Sequence, residues 1–218
     1  MISRIERLRV GPIGENVYAI QSGDLKEAAG VGILVDPGDD ADAILRFLAE
    51  KGITVSLIVL THGHLDHTAA LPDLLAQWKG DLPGIAIHRL DAAYLGAKGE
   101  ATNRELFDRI NAAGFFHGLW KPLPEPTIFL ADGDIVPGTG LRVLHCPGHS
   151  AGSICLYDGE SATLISGDTL FRDGVGRTDG PDSDPAALQA SLVRLAALPP
   201  DTIVFPGHGP RTTIGREL

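Results

Sequence analysis

The chain has 218 residues, a formal net charge of −10 at neutral pH, and 44% hydrophobic residues. This composition excludes a disordered chain, and the length favours one large domain over residues 1–218. The acidic balance argues against broad binding to a nucleic-acid backbone, and aromatic residues, at 6% of the chain, are too few for base-stacking platforms.

Strands separated by glycine-containing turns are predicted at the start of the chain. The three predicted segments are Ile5–Val10, Val17–Gln21 and Gly32–Asp36. A helix is predicted over Ala41–Lys51, because its apolar residues recur at the three-and-four spacing of one helical face. Asp39 and Asp40 precede this helix and are predicted to cap it.

Two strands and a helix are predicted in the next stretch. Ile53–Leu60 is a nearly continuous apolar run, which is typical of a strand buried on both faces. After a polar cluster, a helix is predicted to begin at Leu71 with Pro72 in its first turn. Gly84–His88 predicts another strand, and residues 89–126 predict helices followed by a proline-rich loop.

The second half predicts further strands, each close to a glycine or proline. They are Leu141–Cys146, Ser153–Tyr157, Thr163–Ser166 and a final strand, Thr202–Phe205. A helix is predicted to begin at Pro185 with Asp184 as its cap. Strand-like and helix-like segments alternate along the chain, so we expect an α/β fold in which helices cover the sheets.

The chain shows no sign of export. Four charged residues lie among the first ten, where a signal peptide would need an apolar stretch, and no apolar run is long enough to cross a bilayer. Cys146 and Cys155 are too few for a disulfide scaffold, although the sequence leaves their pairing open. We therefore expect a cytoplasmic protein that binds neither membranes nor nucleic acid, with both cysteines packed in the core.

The histidines are the main candidates for functional residues, because of where they lie in the sequence. Five of the eight lie in or beside glycine-rich loops that follow predicted strands: His62, His64, His67, His149 and His208. On an extended segment His62 and His64 project to one side, and Gly63 allows a close bend between them. Asp66 and His67 follow just after the turn. One such histidine would more often be an ordinary loop residue, but this cluster predicts a metal site because imidazole and carboxylate groups are common zinc ligands.

Five motifs together resemble those of the metallo-β-lactamase superfamily. THGHLDH at residues 61–67 matches its HxHxDH signature; VDPG precedes it, and PGHSAGS, SGDTLF and PGHGP follow in the expected order. Within that superfamily the chain is similar to the short glyoxalase II-like (hydroxyacylglutathione hydrolase-like) enzymes, which end soon after the last motif. The resemblance implies a four-layer αβ/βα sandwich.

The same resemblance implies two divalent metal ions, with zinc the first choice and iron or manganese suited to the same ligands. One ion would be held by His62, His64 and His149, the other by Asp66, His67 and His208, with Asp168 bridging the two. A hydroxide between the metals would be the nucleophile, and Asp66 would orient it and take its proton. For Asp36 of the VDPG motif two interpretations stay open, a support for the histidine loop and a simple turn residue.

The implied reaction is hydrolysis of a small acyl thioester, with S-lactoylglutathione as the first substrate to test. The basic residue of related enzymes that contacts glutathione matches Arg177, whose guanidinium could bind a carboxylate with two hydrogen bonds. The aromatic pair that usually follows this position is replaced by Thr178 and Asp179. A thiolate is a good leaving group, so a thioester needs little help from a general acid.

Two other functions are weighed against this interpretation. Persulfide dioxygenases of the superfamily use one iron and share the GRTD sequence found here at residues 176–179, but the PGHGP ending favours the hydrolase. A non-catalytic metal-binding scaffold ranks lower, because no ligand position is missing. His88, His117 and His145 lie outside the ligand set and are expected to be structural or surface residues.

Overall fold

The structure is a computed structural model that describes residues 2–22 and 31–218. The strands of the first sheet are β1 (Ile2–Val10), β2 (Glu15–Ser22), β3 (Val31–Val35), β4 (Thr54–Val59), β5 (Gly84–His88) and β6 (Ile128–Leu130). They lie side by side in chain order. The first three strands are antiparallel, and β3 to β6 run parallel.

A second sheet is built from the other half of the chain. Its strands are β7 (Arg142–His145), β8 (Ile154–Asp158), β9 (Thr163–Gly167), β12 (Ile203–Pro206) and β13 (Thr212–Thr213). They lie in the order β13-β12-β9-β8-β7, and β12 pairs with β9 in parallel. Between β9 and β12, the short strands β10 (Leu170–Phe171) and β11 (Gly174–Val175) form a separate hairpin.

Seven α-helices and two 3-10 helices lie among these strands in the described residues. The α-helices are α1 (Ala41–Lys51), α2 (Leu65–Thr68), α3 (Leu71–Gln77), α4 (Gly99–Arg109), α5 (Ala113–Leu119), α6 (Pro185–Leu195) and α7 (Ile214–Glu217). The 3-10 helices are Arg89–Tyr94 and Gly96–Lys98. Over residues 2–22 and 31–218, no helix combines the length and apolar character that crossing a membrane requires.

Strand β4 shows how the core divides into layers. Leu57 and Val59 pack between the two sheets, against residues such as Ile165 of β9. Ile58 points to the opposite face and packs in a second cluster with Ile44 of α1. This alternation follows from the two-residue period of a strand.

The second sheet is covered on its outer face by α6. Leu164 of β9 and Val204 of β12 pack there with Leu195 of that helix. The layers are therefore helix, sheet, sheet and helix, which confirms the predicted αβ/βα sandwich.

Local details differ from the sequence-based expectations. Thr54 and Ser56 are exposed, so β4 is buried on both faces only from Leu57 onward. The prediction that the whole apolar run is buried was wrong, because its polar residues lie at the end of the strand away from the histidine loop. Thr202–Phe205 was also expected to be the last strand, but β13 and α7 follow it.

The two helix caps predicted from aspartates have opposite outcomes. Asp184 accepts hydrogen bonds from the backbone N–H of Ala186 and Ala187, at 2.8 and 3.2 Å, as predicted. Asp40 occupies the cap position of α1, but its backbone is left-handed (φ 55°) and its carboxylate makes no hydrogen bond to the helix among the described residues. Its Oδ2 instead accepts the backbone N–H of Gly11 at 3.2 Å. Neither Asp39 nor Asp40 therefore caps α1 with its side chain.

Candidate metal centre

The loop after β4 carries the first two histidines. A Cβ atom on Gly63 would lie 2.5 Å from the Cβ of Tyr94, so only glycine fits at this position between His62 and His64. The backbone at His64 is extended (φ −63°, ψ 148°), and the rings of His62 and His64 lie with centroids 4.6 Å apart. The two side chains therefore face one side, as their spacing predicts.

His149 completes the first cluster. It belongs to the loop between β7 and β8, and its ring centroid lies 4.8 Å from that of His62 and 4.6 Å from that of His64. The three rings thus form a nearly equilateral triangle. One nitrogen of each ring lies within 4.8 Å of the others, close enough for all three to bind one ion.

A second cluster adjoins the first and contains Asp66, His67, Asp168 and His208. Asp66 and His67 are presented by the short helix α2, Asp168 follows β9, and His208 follows β12. The Nε2 atom of His208 lies 3.2 Å from Asp66 Oδ2 and 3.6 Å from Asp168 Oδ2. The carboxyl ends of the parallel pair β9 and β12 therefore place Asp168 and His208 at one edge of the second sheet, next to Asp66 and His67 of α2.

Asp168 lies between the two clusters. Its Oδ1 is 3.3 Å from Nε2 of His67, in the second cluster. Its Oδ2 is 3.7 Å from Nε2 of His149, in the first. A single carboxylate thus faces both groups, the position that a bridging ligand requires.

Hydrogen bonds at the far side of the rings orient the histidines. Nδ1 of His149 lies 2.9 Å from the backbone carbonyl oxygen of Arg177. Because a carbonyl can only accept, Nδ1 carries the proton and Nε2 keeps its lone pair for the cluster. The hydroxyl of Thr61 lies 3.1 Å from Nδ1 of His62 and orients that ring in the same way.

The atoms that face into the clusters lack other partners. Among the described residues, Nε2 of His62, His64 and His149 and Oδ1 of Asp168 are buried and make no hydrogen bond. Leaving so many buried polar atoms unpaired costs free energy. Divalent cations would satisfy all of them, so the donor set fits a metal centre.

The two clusters differ in charge. Burial, together with the neighbouring histidines, lowers the pKa of His62 well below its usual value. For His64, burial is the main cause and the neighbouring His149 the second, and together they lower the pKa to about 3. In the second cluster burial opposes the charges, but Asp168 and Asp66 outweigh it and raise the pKa of His67. His62 and His64 of the first cluster are therefore neutral and keep free lone pairs, while the second cluster pairs carboxylates with a histidine whose pKa is raised.

Asp36 supports the histidine loop. Its carboxylate accepts hydrogen bonds from the backbone N–H and the hydroxyl of Thr61, at 2.7 and 2.6 Å, and its Oδ2 lies 3.1 Å from Nδ1 of His67. The residue is buried and left-handed (φ 51°). Of the two interpretations that the sequence left open, these contacts favour the support of the loop.

Two buried carboxylates near the clusters were not found from the sequence. Asp91 accepts hydrogen bonds from Gly63 and from the loop that carries His149. Glu15 lies 3.9 Å from Nδ1 of His67, and burial raises its pKa well above the usual value. Both side chains reach the site from distant parts of the chain, so no local motif marks them.

An open cavity of about 520 Å³ lies over the clusters, and His64, Asp66 and His149 line its floor. Arg177, the residue predicted to contact substrate, also lines it. Its guanidinium, however, donates two hydrogen bonds to Asp179, at 2.6 and 2.7 Å, and both side chains are largely exposed.

The remaining singled-out residues lie outside the clusters. His88 and His145 stack with ring centroids 4.1 Å apart, and Nε2 of His145 lies 2.9 Å from the carbonyl oxygen of Ala151. His117 is exposed. In the part of the chain that the structure describes, both cysteines are free and buried, which agrees with packing in the core.

Comparisons with known proteins agree with this geometry. A family model described as the metallo-beta-lactamase superfamily matches residues 10–208. The hydroxyacylglutathione hydrolase GloC of Haemophilus influenzae is 32% identical over 89% of this chain and 85% of its own length. Two solved structures share the fold. The di-iron-bound form of TTHA1623 is 37% identical (TM-score 0.78; 96% of this chain, 95% of that chain), and the BLEG-1 B3 metallo-beta-lactamase is 30% identical (TM-score 0.82; 98% and 95%).

Proposed function

The chain belongs to the metallo-β-lactamase superfamily, and on that premise we propose that it is a metal-dependent hydrolase of small acyl thioesters with glyoxalase II-like activity. The reference substrate is S-lactoylglutathione, which water cleaves to lactate and glutathione. One observation carries the proposal: two adjoining clusters of buried imidazole and carboxylate atoms at the floor of an open cavity. The identity to GloC of Haemophilus influenzae supports the thioester class.

Two divalent ions fit the ligand set, with zinc the first choice and iron or manganese as alternatives. The first would be held by His62, His64 and His149, the second by Asp66, His67 and His208, and both by Asp168. When bound, such ions lower the pKa of water and polarise the acyl carbonyl. TTHA1623, which has been solved in a di-iron-bound form, supports a site for two ions.

Asp66 is the residue that we assign to proton transfer. It lines the cavity, and Oδ2 lies 3.2 Å from His208. Burial raises its pKa, but the positive charge of His67 and the hydrogen bond with His208 outweigh burial and leave the pKa below its ordinary value. The carboxylate is therefore ionised and can orient the attacking water and accept its proton at Oδ. The leaving thiolate needs little help from a general acid.

The test combines metal analysis with turnover of S-lactoylglutathione. We expect about two metal ions per chain, hydrolysis that a chelator abolishes, and recovery when zinc, iron or manganese is returned. The variant Asp168→Ala should lose ions from both clusters and lose hydrolysis with them. Full activity in this variant, or activity that survives the chelator, would contradict the proposal.

Two further assays separate the competing functions. One iron per chain with stoichiometric oxygen uptake on glutathione persulfide would show that the protein is a persulfide dioxygenase and not a hydrolase. Hydrolysis of a chromogenic β-lactam faster than any thioester would assign the activity that the name of BLEG-1 describes. A protein that binds metal but turns over none of these substrates would be a scaffold.

A further inference from the structure

The cavity above the clusters has walls of a different chemistry from its floor. One wall is formed by α4, the turn after it, and α5, which contribute Leu106, Phe107, Ile110 and Phe115. Ile13 and the β10–β11 hairpin, through Phe171 and Val175, add further apolar side chains to the lining. Most of the surface that a bound molecule would touch outside the clusters is therefore apolar.

Charged groups in these walls are few. Among the described residues that line the cavity, Arg177 carries the only guanidinium or ammonium group. That group is already paired with both carboxylate oxygens of Asp179. A carboxylate of the substrate would compete with Asp179 for this guanidinium, and the gain from an exposed ion pair is small.

Glutathione does not match this lining. It carries two carboxylates and one ammonium, and the transfer of charged groups from water into an apolar cavity without partners is unfavourable. The transfer of an uncharged hydrocarbon group into the same place is favourable, because it removes its own surface and that of the walls from water. The volume of about 520 Å³ lies in the range of small-molecule sites.

We propose that the walls of this cavity bind an uncharged apolar group of the thioester, and that the enzyme prefers such substrates to glutathione conjugates. This inference rests on the proposed thioester hydrolysis and narrows its substrate class. The carbonyl would lie over the clusters at the floor, while the hydrocarbon group would pack against residues such as Phe107 and Phe115.

The first experiment uses the metal-loaded enzyme and thioesters of the neutral thiol N-acetylcysteamine, with acetyl, butyryl and hexanoyl groups. We expect kcat/KM to rise about fourfold for each added methylene. The hexanoyl thioester should exceed S-lactoylglutathione by at least roughly tenfold on the same scale. If S-lactoylglutathione is the best substrate and chain length has no effect, the inference is overturned while the thioester hydrolase stands.

Binding measurements keep the inference independent of turnover. The S-hexyl and S-methyl thioethers of N-acetylcysteamine cannot be hydrolysed, and calorimetry gives their affinities directly. Tighter binding of the S-hexyl compound supports an apolar site even if no thioester is cleaved, a result that would overturn only the proposed hydrolysis. Equal affinities would overturn the apolar site.

Variants at the mouth of the cavity locate the effect. Ile13 and Val175 line the cavity and are 50% and 44% exposed, so a lysine at either position disturbs little packing. Ile13→Lys and Val175→Lys should lower the ratio of hexanoyl to acetyl kcat/KM at least threefold. Val193, 64% exposed on α6 and outside the cavity, is the matched control, and Val193→Lys should leave the ratio unchanged. Equal ratios in all three variants would place the hydrocarbon group elsewhere.

Discussion

The carboxylate of Asp91 accepts a hydrogen bond from the backbone N–H of Gly63, at 2.9 Å, between the first two histidines of the metal centre. The same carboxylate also accepts two hydrogen bonds from the loop after His149. Their donors are the hydroxyl of Ser150, at 2.7 Å, and the backbone N–H of Gly152, at 2.5 Å. One buried side chain thus fixes the relative positions of the two loops that supply the first cluster.

We predict that Asp91→Asn weakens metal binding without removing a ligand. The amide can accept at one atom only, so its NH₂ group would face the N–H of Gly152 or that of Gly63. Loss of such a supporting contact typically lowers metal affinity 10- to 100-fold, and the unpaired donor costs about 1–3 kcal/mol of unfolding free energy. Competition with a chromogenic chelator measures the affinity, and urea unfolding measures the stability.

Asp158 provides a matched control, because its carboxylate also accepts three hydrogen bonds. Its donors are the backbone N–H of Ile2, the backbone N–H of Glu160 and the hydroxyl of Ser161. Asp158→Asn should cost a similar amount of stability and leave metal affinity unchanged. If both variants bind metal equally well, Asp91 has no role in the metal centre.

The contrast between Asp91 and the histidines shows what could be predicted from the sequence. His62, His64 and His67 lie in one short loop, so their residue types and spacing indicate a common target before any fold is known. Asp91 belongs to a 3-10 helix and contacts a serine 59 residues further along the chain. A contact of that range leaves no local pattern.

The conformation of individual side chains was a second feature that could not be predicted from the sequence. The strands of four or more residues and α6 were predicted because apolar periodicity and Asp184 followed by Pro185 are local signals, whereas the shorter strands β6, β10, β11 and β13 were not. The sequence could also place Arg177 near the site, but not its pairing with Asp179, which depends on the conformers of two exposed side chains. Asp40 failed as a cap for a similar reason, since its left-handed backbone directs the carboxylate to Gly11.

Gly207 is predicted to be indispensable to the second cluster. A Cβ atom at this position would lie 2.2 Å from Oδ1 of Asp168 and 2.7 Å from Cε1 of His67. Gly207→Ala must therefore displace both side chains, and misplacement by about 1 Å can cost 100-fold in rate. We expect less than full metal content and a loss of thioester turnover of that order.

The control for this prediction is Gly118 in α5. An added Cβ there meets no heavy atom of the described residues within 4 Å, apart from its chain neighbours and the backbone of its own helix. Gly118→Ala should keep metal content and turnover, and should change the free energy of unfolding by no more than about 1 kcal/mol in the stabilising direction. Wild-type metal content and turnover in Gly207→Ala would show that the cluster tolerates the added methyl group.

Asp179 is predicted to limit the affinity for anionic thioesters. Its hydrogen bond with Arg177 holds the pKa of Asp179 below its usual range, so the pair is charged at neutral pH. Asp179→Asn should free the guanidinium and lower KM for S-lactoylglutathione about two- to fivefold, the range expected for an exposed ion pair. KM for a neutral N-acetylcysteamine thioester should not change.

The exposed pair of Asp132 and Arg194 lies outside the cavity and serves as the control. Asp132→Asn removes the same charge from the protein, so it reports any general effect of net charge on anionic substrates. An equal fall in KM in both variants would mean that Arg177 does not contact the substrate.

The pKa of His64 predicts how the metal-free protein responds to acid. Burial, followed by the charge of His149, lowers this pKa to about 3, whereas a histidine in the unfolded chain titrates near 6.5. Between these values the unfolded state binds a proton that the folded state does not. The free energy of unfolding should therefore fall as pH drops below about 6.5, by up to about 1.4 kcal/mol per pH unit from this residue.

The variant His64→Gln, which does not titrate at this position, tests the argument. Its free energy of unfolding, measured by urea unfolding with a chelator present, should change less steeply with pH than that of the wild type. The exposed His117 is the control, and His117→Gln should keep the wild-type slope. Identical slopes for the wild type and His64→Gln would mean that His64 gains a proton in the folded state as readily as in the unfolded chain, and would remove the argument that its imidazole is held neutral for metal.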